Sequence, residues 1–475
     1  MRLRLVSLVL LAIVLVAACS KPATHWNVLV IVMDTVRADH LAVNGYARPT
    51  SPHLARLAKE GANFSQAITT APRTWQSFAT ILTGLYPPHH GVRYIHDYPL
   101  EKTTPTLATA LGKAGYATHS FDRVEFIRKI TGGFGFDAYY DPIVNTDRGV
   151  LEQAWIWMQS TREQPFFAFV RLNAAHWPYT DDPGAVGFGS CEGQDHAFNA
   201  RSLKEMGVVP SRTAGEGLKL VDAAKYKDFI FTVSPDAKVR EHIVAHYDAE
   251  VLRTDADIGW LLDEMRAAGL LDRTVVVITA DHGESFGEHG YNFHGPRVDD
   301  PVMRVPLIIR LPPGDGAAKP GTVVDQQVRT VDILPTVLSA VGVPLPERLD
   351  GISLLPALRG EAIERRWAYA ESERDHLGVD PDYHVEGVKG THRMARTEDW
   401  KLVYVPRPDG PELRLYDLRG DAGETRNVAA EHPDQVAQLR ALLDTVLAGD
   451  ADLGATKERV LTDAEKEQLR QLGYE

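Results

Sequence analysis

Two side chains that could bind a metal ion directly follow an apolar stretch of the sequence. Residues 274–280 read Thr-Val-Val-Val-Ile-Thr-Ala, and Asp281 and His282 come next. A near-continuous Val/Ile run is typical of a strand covered on both faces of a parallel sheet, and ligands bind beyond the carboxyl ends of such strands. A carboxylate beside an imidazole suits a divalent cation such as Zn²⁺, Mn²⁺ or Ca²⁺, with the imidazole counting somewhat against Ca²⁺ and Mg²⁺. On these residues alone, a metal site and a plain strand-end turn at Gly283 explain the pattern equally well.

A second apolar strand near the start of the chain ends in the same way. Residues 27–33 read Asn-Val-Leu-Val-Ile-Val-Met, and Asp34 follows them. Two strands therefore present carboxylates at their carboxyl ends. We expect Asp34, Asp281 and His282 to share one divalent cation.

A hydroxyl at a predicted helix start adds a possible nucleophile. The spacing between Ala71 and Gly84 predicts a helix with Thr74 as its N-cap and Gly84 as the residue after its end. Backbone N–H groups and the helix dipole favour an anion at this place and would stabilise a developing alkoxide on Thr74. The alternative is ordinary capping, since threonine caps helices routinely.

Several motifs in this region resemble one known family. The strand ending in Asp34 is followed by Arg-Ala-Asp-His at 37–40, and Thr-Gly-Leu-Tyr-Pro stands at 83–87. These residues resemble the sulfatase family of the alkaline phosphatase superfamily, which carries Cys or Ser, any residue, Pro, Ser and Arg at its nucleophile. Counting back from the Thr-Gly places Thr74 at the nucleophile, with Gln76 and Phe78 where the family has Pro and Arg.

This departure changes the expected chemistry. Family sulfatases oxidise the Cys or Ser to formylglycine, whereas oxidation of Thr74 would give a ketone, and the Pro and the Arg of the motif are absent. We therefore expect no formylglycine and interpret Thr74 as a direct alkoxide nucleophile that also binds the metal. The complete predicted metal set is Asp34, Thr74, Asp281 and His282, around one Ca²⁺, Mn²⁺ or Zn²⁺ ion.

The resemblance implies roles for two further histidines. His176 follows an apolar strand at 166–172 and occupies the place of a family histidine at the leaving ester oxygen, where an imidazole can act as general acid. The alternative is a loop histidine packed under Trp177. His294 corresponds to a family position that holds a non-bridging ester oxygen.

Two features limit the metal site. Sulfatases usually carry two adjacent acids after the first strand, whereas Thr35 follows Asp34 here, so the coordination sphere is expected to be thinner or to include water. A second metal would need further ligands, for which His242, His246 and Asp248 are weak candidates.

The resemblance to the sulfatase family implies an α/β fold with two parts. We expect an alkaline-phosphatase-like sandwich at 25–365, in which a large mixed, mostly parallel sheet lies between helices, with 181–238 as an insertion over the site. Residues 366–475 are expected to form a small antiparallel-sheet subdomain with a terminal helix at 462–474. Its strands at 400–405 and 413–418 read as a hairpin, and a helix at 435–447 packs on it.

The N-terminus predicts export and anchoring. Arg2 and Arg4 precede an apolar run that ends in Val-Ala-Ala-Cys at 16–19, which resembles a bacterial lipobox with Cys19 as the lipidated residue. Residues 1–19 would be a lipoprotein signal peptide, and the mature protein would face the periplasm or the cell exterior on its lipid anchor. The formal net charge of −13 argues against a nucleic-acid partner.

Three functions remain open from the sequence. The favoured one is a Thr74-dependent hydrolase or transferase of small-molecule phosphoric esters. The second is a sulfuric ester hydrolase without formylglycine, and the third is a catalytically silent protein that binds anions. Phe78 and Gln76 favour phosphate over sulfate, and the intact metal ligands favour an enzyme over a silent relative.

Overall fold

The computed structural model describes the following residues: 26–93, 100–122, 133–140, 146–177, 179, 237–314, 318–372, 392–407 and 410–448. The predicted signal peptide with Cys19, most of the predicted insertion and the predicted terminal helix lie outside them, so these remain predictions. Within the described residues, no helix combines the length and apolar character that a bilayer crossing needs.

A nine-stranded sheet forms the centre of the larger part of the chain, in the order β10-β2-β9-β6-β1-β5-β3-β4 with β11 also paired to β2. Its strands are β1 (Asn27–Met33), β2 (Ala62–Ile68), β3 (Ala117–Phe121), β4 (Ala138–Tyr139), β5 (Phe166–Leu172), β6 (Thr274–Ala280), β9 (Arg304–Arg310), β10 (Thr322–Val324) and β11 (Val328–Arg329). A separate two-stranded ribbon contains β7 (Ser285–Phe286) and β8 (Asn292–Phe293).

The sheet is mixed but mostly parallel, as predicted. β1 pairs in parallel with both β5 and β6, whereas β9 runs antiparallel to β2 and β6. Every residue of β1, β5 and β6 is buried, which explains their continuous apolar sequences. The carboxyl ends of these three central strands therefore open on one edge of the sheet.

Helices cover this sheet. They are α1 (Pro52–Glu60), α2 (Thr74–Thr83), α3 (Pro87–His90), α4 (Leu107–Lys113), α5 (Asp147–Ser160), α6 (Ala237–Ala267), α7 (Asp300–Met303), α8 (Ile333–Val341) and α9 (Leu355–Leu358). All ten residues of α2 are buried, so this helix lies inside the molecule and presents no solvated face. α6 begins at Ala237, so the last two residues of the predicted insertion at 181–238 are helical, and the rest of it lies outside the described residues.

The C-terminal subdomain is a four-stranded antiparallel sheet in the order β12-β13-β14-β15. Its elements are β12 (Ala368–Glu371), β13 (Arg393–Arg396), β14 (Trp400–Val405), β15 (Glu412–Asp417) and α10 (Pro433–Leu447). Leu439, Leu443 and Val446 of α10 pack with Leu402 and Leu415 of the hairpin. The predicted hairpin and the helix on it are confirmed.

A buried carboxylate makes the stability of this fold depend on pH. Asp255 of α6 accepts hydrogen bonds from the backbone N–H groups of His53 and Leu54 at 2.9 and 2.8 Å, so it caps α1 from another helix. Burial nevertheless raises the pKa of Asp255 to about 6, against 3.8 for the unperturbed group. Ionised Asp255 therefore costs folding free energy above pH 6, and this cost disappears as the pH falls below 3.8.

Replacing Asp255 by asparagine is expected to remove that cost. The unfolding free energy of Asp255→Asn is compared with that of the parent at pH 4.5 and at pH 7. We expect the variant to gain about 2 kcal/mol relative to the parent when the pH is raised from 4.5 to 7. Urea unfolding of both proteins at the two pH values measures it. Asp263→Asn, an exposed change on the same helix, is the control, and an equal shift for both variants would contradict the assignment to Asp255.

Candidate metal centre and active site

The register of the central strands brings three predicted ligands together. β1 and β6 pair with Met33 opposite Ala280, so Asp34 and Asp281 leave the sheet side by side. Asp34, Asp281 and His282 each offer a ligand atom within 4.8 Å of the others. His282 Nε2 lies 3.8 Å from Asp34 Oδ1 and 3.6 Å from Asp281 Oδ2.

Each of these three side chains uses one polar atom within the protein and leaves the other for a ligand. Asp34 Oδ2 accepts hydrogen bonds from Arg171, and Asp281 Oδ1 accepts them from the backbone N–H groups of Thr35 and His282 at 3.2 and 2.8 Å. His282 Nδ1 lies 2.9 Å from the Gly283 carbonyl oxygen, so it carries the hydrogen and Nε2 keeps its lone pair. Asp34 Oδ1, Asp281 Oδ2 and His282 Nε2 are buried and have no hydrogen-bond partner among the described residues. Two carboxylate oxygens and one imidazole nitrogen, all unsatisfied and facing each other, fit a divalent cation.

The electrostatics of these groups indicate a site that needs additional positive charge. Burial and the Asp34 charge raise the pKa of Asp281 well above its usual value. Burial also works against ionisation of Asp34, but Arg171 and the neighbouring histidines outweigh it and lower the pKa of Asp34 to about 2. Burial lowers the pKa of His282 to about 4, which keeps its ring neutral and able to bind a metal.

Arg171 is a site residue that we did not predict. It lies near the end of β5, opposite Val32 of β1, and Nε donates to Asp34 Oδ2 at 3.1 Å. Nη1 donates to Asp122 Oδ1 at 3.2 Å, so the arginine bridges two carboxylates at this edge of the sheet. The available signal was a lone charge inside an otherwise apolar strand, because a buried arginine needs carboxylate partners.

The structure places Thr74 on the first turn of α2, but not as its N-cap. That prediction is wrong by one residue, because Arg73 has the extended backbone of a cap and its carbonyl accepts from the Ser77 N–H at 3.2 Å. The Thr74 hydroxyl consequently has no capping role, and no other described group is hydrogen-bonded to it. The Thr69 hydroxyl lies 3.2 Å from that of Ser77 and donates to the Asp281 carbonyl oxygen at 2.6 Å, which connects this turn to Asp281.

Both predicted histidines lie in the same pocket. The His294 ring centroid is 4.3 Å from that of His282 and 5.1 Å from that of His176. His176 Nδ1 contacts the Trp177 carbonyl oxygen at 2.5 Å, and His294 Nδ1 lies 2.8 Å from Glu284 Oε1. Each histidine is thus held through Nδ1, which leaves Nε2 for a ligand.

Two buried acids support these histidines and were not predicted. The Asp147 carboxylate accepts the backbone N–H groups of Asn173 and Ala174 at 2.7 to 3.0 Å, which fixes the loop that carries His176. Burial and the Asp34 charge raise the pKa of Glu284, the partner of His294, well above its usual value. Both acids lie outside the strand-end pattern that identified the metal ligands, so the sequence offered no clear signal for them.

Thr35 stands where sulfatases usually carry a second acid after the first strand, and its polar groups contact the protein backbone and the Tyr247 hydroxyl. Its φ of 59° is in the left-handed region that a β-branched residue rarely adopts. Its hydroxyl lies 2.7 and 2.8 Å from the carbonyl oxygens of Asp34 and Ala175, and its own carbonyl accepts from the Tyr247 hydroxyl at 2.8 Å. These contacts connect Asp34 to the loop that carries His176.

The two residues that stand at the Pro and Arg positions of the family motif make other contacts in the protein interior. Phe78 is fully buried, and its ring meets that of Phe169 edge to face with centroids 5.3 Å apart. The Gln76 amide donates to the Arg93 carbonyl oxygen at 2.6 Å. Neither side chain can take the part of the missing Arg or Pro.

The weak second-metal candidates do not assemble into a site. Asp248 lies 2.8 Å from His40 Nδ1 and accepts from the Tyr46 hydroxyl and from Arg48 at 2.7 and 2.6 Å, so its oxygens are already engaged.

Another group with ligand-type atoms, His289, Asp299 and Glu424, lies at the junction with the C-terminal subdomain. The Lys401 ammonium is 2.5 Å from Glu424 and 3.0 Å from Asp300 there. A lysine therefore already supplies positive charge at this junction.

Comparison with known proteins decides the family. Residues 26–343 match the family described as Sulfatase. This chain belongs to the sulfatase family. Residues 287–449 of this sulfatase-family protein also match the domain described as N-sulphoglucosamine sulphohydrolase, C-terminal. It is accordingly an ester hydrolase, and the family and fold that the sequence predicted are confirmed.

Several relatives and solved structures resemble this sulfatase-family protein over most of its length. Arylsulfatase K of Bos taurus is 26% identical over 456 residues, covering 89% of this chain and 81% of the relative. The ulvan-active sulfatase of Formosa agariphila is 26% identical over 462 residues, covering 90% and 81%. The phosphonate monoester hydrolase SpPMH of Silicibacter pomeroyi is 23% identical with a TM-score of 0.68, covering 92% of this chain and 100% of that one. A structure of BT4656 with D-glucosamine-2-N,6-O-disulfate has the same TM-score at 23% identity, covering 91% and 100%.

Proposed function

We propose that this protein is a metal-dependent hydrolase of small-molecule phosphoric esters, with Thr74 as the direct nucleophile. The observation that carries the proposal is the position of Thr74 at the start of a buried helix that Thr69 and Ser77 tie to Asp281. Its hydroxyl is free of capping, and three unsatisfied ligand atoms converge on the same edge of the sheet. A divalent cation held by Asp34, Asp281 and His282, with Thr74 as a further ligand, would polarise the ester and lower the pKa of the hydroxyl.

The proposed reaction has two displacements. Thr74 gives its hydroxyl proton to water, its Oγ1 forms a bond to phosphorus, and the bond from phosphorus to the leaving oxygen breaks with the electron pair staying on that oxygen. Water then attacks phosphorus and gives one proton to His176, which lost its own to the leaving oxygen. The Oγ1–P bond breaks, Oγ1 takes up a proton from solvent, and phosphate leaves, or a phosphate monoester if the substrate is a diester. The N-terminus of α2 supports the first step, because its backbone N–H groups favour negative charge on the hydroxyl oxygen and on the transferring group.

His176 is suited to protonate the leaving oxygen. Because its Nδ1 is bonded to the Trp177 carbonyl, Nε2 is the nitrogen that faces the site. Burial lowers the pKa of His176, while the charge of Asp34 opposes this effect, and a bound ester dianion would oppose it further. His294, aligned by Glu284, would hold a non-bridging oxygen of the same group.

Sulfuric ester hydrolysis is the second candidate. The names of the relatives support it, since arylsulfatase K and the ulvan-active sulfatase are both sulfatases. The family mechanism uses an oxidised nucleophile, however, and Phe78 and Gln76 are committed to the core and to Arg93. Phosphoester hydrolysis by an unmodified threonine agrees better with these contacts.

A matched set of substrates tests this proposal. The purified full chain, supplied in turn with Mn²⁺, Zn²⁺ and Ca²⁺, is assayed on p-nitrophenyl phosphate, bis(p-nitrophenyl) phosphate and p-nitrophenyl sulfate. We expect turnover of a phosphoester to exceed that of the sulfate, and acid-quenched samples to contain a phosphorylated peptide with the group on Thr74 and not on Ser77. Turnover of the sulfate alone would favour the second candidate, and inactivity on all three would favour a silent anion-binding protein.

A further inference from the structure

Arg73, the residue before the proposed nucleophile, occupies an unusual position. It is the N-cap of α2, with φ −150° and ψ 144°, and makes no side-chain capping hydrogen bond. Asp, Asn, Ser and Thr are the residues that normally satisfy this position, and a positive charge opposes the positive end of the helix dipole. A basic residue here works against local helix stability, and such local conflicts are expected mainly at functional sites.

The backbone of the His294 loop is shaped to receive the Arg73 guanidinium. A Cβ added to Gly295 would lie 2.4 to 2.5 Å from Nη2, Cζ and Nε of Arg73, so the side chain lies directly against this glycine. Gly295 also has a φ of 113°, which L side chains rarely adopt. A side chain at 295 would therefore strain the backbone and force the Arg73 guanidinium to move away from this loop.

The positive charge of Arg73 affects the pKa values of His176, His282 and His294. Burial is the main cause of the lowered pKa values of His176, His282 and His294, and the Arg73 guanidinium lowers all three further. It also stabilises the ionised form of Glu284. Arg171, the other arginine at this edge, is already bonded to Asp34 and Asp122.

We propose that Arg73 binds the non-bridging oxygens of the transferring group and so supplies the positive charge that the family motif places at the position of Phe78. This inference rests on the proposed site around Thr74 and names its anion ligand. A guanidinium offers several N–H donors in a plane and matches the oxygens of a tetrahedral anion, next to the N–H groups of the first turn of α2.

Anion binding tests this role without relying on turnover. Inorganic phosphate is titrated calorimetrically into Mn²⁺-loaded Thr74→Ala and into the double variant Thr74→Ala/Arg73→Met. We expect the affinity for phosphate to fall about 100-fold when Arg73 is removed, because the buried anion then loses a charge-assisted hydrogen-bond donor. Arg73→Lys keeps the charge but not the planar set of donors, so its phosphate affinity should lie between those of the parent and the methionine variant. Gly295→Ala displaces the intact arginine and should also lower the affinity for phosphate.

Controls separate this role from simple packing. Arg56→Met removes an exposed arginine that pairs with Asp263, and it should leave phosphate affinity unchanged. Metal content and melting temperature are measured for every variant. If Arg73→Met lowers the melting temperature but binds phosphate within twofold of its parent, Arg73 only packs against Gly295 and the inference is overturned. If instead Thr74→Ala remains active, the proposed nucleophile is wrong, while the comparison of phosphate affinity between Thr74→Ala and Thr74→Ala/Arg73→Met still reports on Arg73.

Discussion

Replacing Thr74 by alanine is expected to lower kcat for the preferred ester about 10⁴-fold or more, because it removes the protein atom that the proposed mechanism bonds to phosphorus. Alanine is a better helix former than threonine, and the backbone of the first turn of α2 needs no contribution from the hydroxyl. Folding should therefore be close to that of the wild type, and the metal should still bind through Asp34, Asp281 and His282, with a lower affinity because one proposed ligand is lost. Single-turnover kinetics and a melting curve measure the two quantities.

Matched variants of Thr74 make this result specific. Thr74→Val keeps the shape without the hydroxyl and should be as inactive as the alanine variant, whereas Thr74→Ser should retain activity and accumulate phosphoserine. Thr83→Ala removes another hydroxyl of the same helix, which donates to the Ala79 carbonyl at 2.6 Å, and should stay within tenfold of wild type. An alanine variant that kept most of its turnover would exclude Thr74 as the nucleophile.

Asp281→Asn is expected to separate metal binding from folding. The asparagine oxygen can still accept from the N–H groups of Thr35 and His282, but an NH₂ group replaces Asp281 Oδ2 and faces the other two ligand atoms. We expect the loss of one metal equivalent per chain and a decrease in turnover of about 10³-fold or more. Metal analysis after gel filtration and steady-state kinetics measure these changes.

Although Asp281→Asn lowers metal binding and turnover, it should not lower the stability of the metal-free protein. Burial and the Asp34 charge raise the pKa of Asp281, so its ionised form is unfavourable in the folded, metal-free protein at neutral pH. The metal-free variant should melt at or above the temperature of the metal-free parent, whereas added Mn²⁺ should stabilise only the parent. Asp263→Asn, on the surface, should respond to Mn²⁺ as the parent does. If the variant bound metal normally, the assigned centre would be wrong.

The strand-end residues could be predicted because their positions depend on simple periodicity. Continuous apolar runs identified β1, β5 and β6, and parallel strands place whatever follows them at one edge. The proximity of Asp34, Asp281 and His282 could therefore be predicted from the sequence alone. The C-terminal hairpin and its helix were predictable for a similar reason, since both show their periodicity locally.

The supporting residues depend on information that a single segment does not contain. The role of Arg171 follows from the pairing of β5 with β1, and that of Asp147 from the packing of α5 behind the His176 loop. The predicted N-cap was wrong by one residue, because the structure has Arg73 at that position. Arginine is not among the residue types that favour an N-cap, so the sequence did not indicate it. These residues are determined by tertiary contacts, and they decide how the ligands are oriented.

The burial of Phe78 limits which substitutions could give this chain the complete nucleophile motif of its family. That motif would require a Cys or Ser at position 74 and also an arginine where Phe78 meets Phe169. An unpaired guanidinium in that apolar contact would cost several kcal/mol of folding free energy. A single substitution at position 74 would therefore not restore the family motif, because the core around Phe78 would have to be repacked as well.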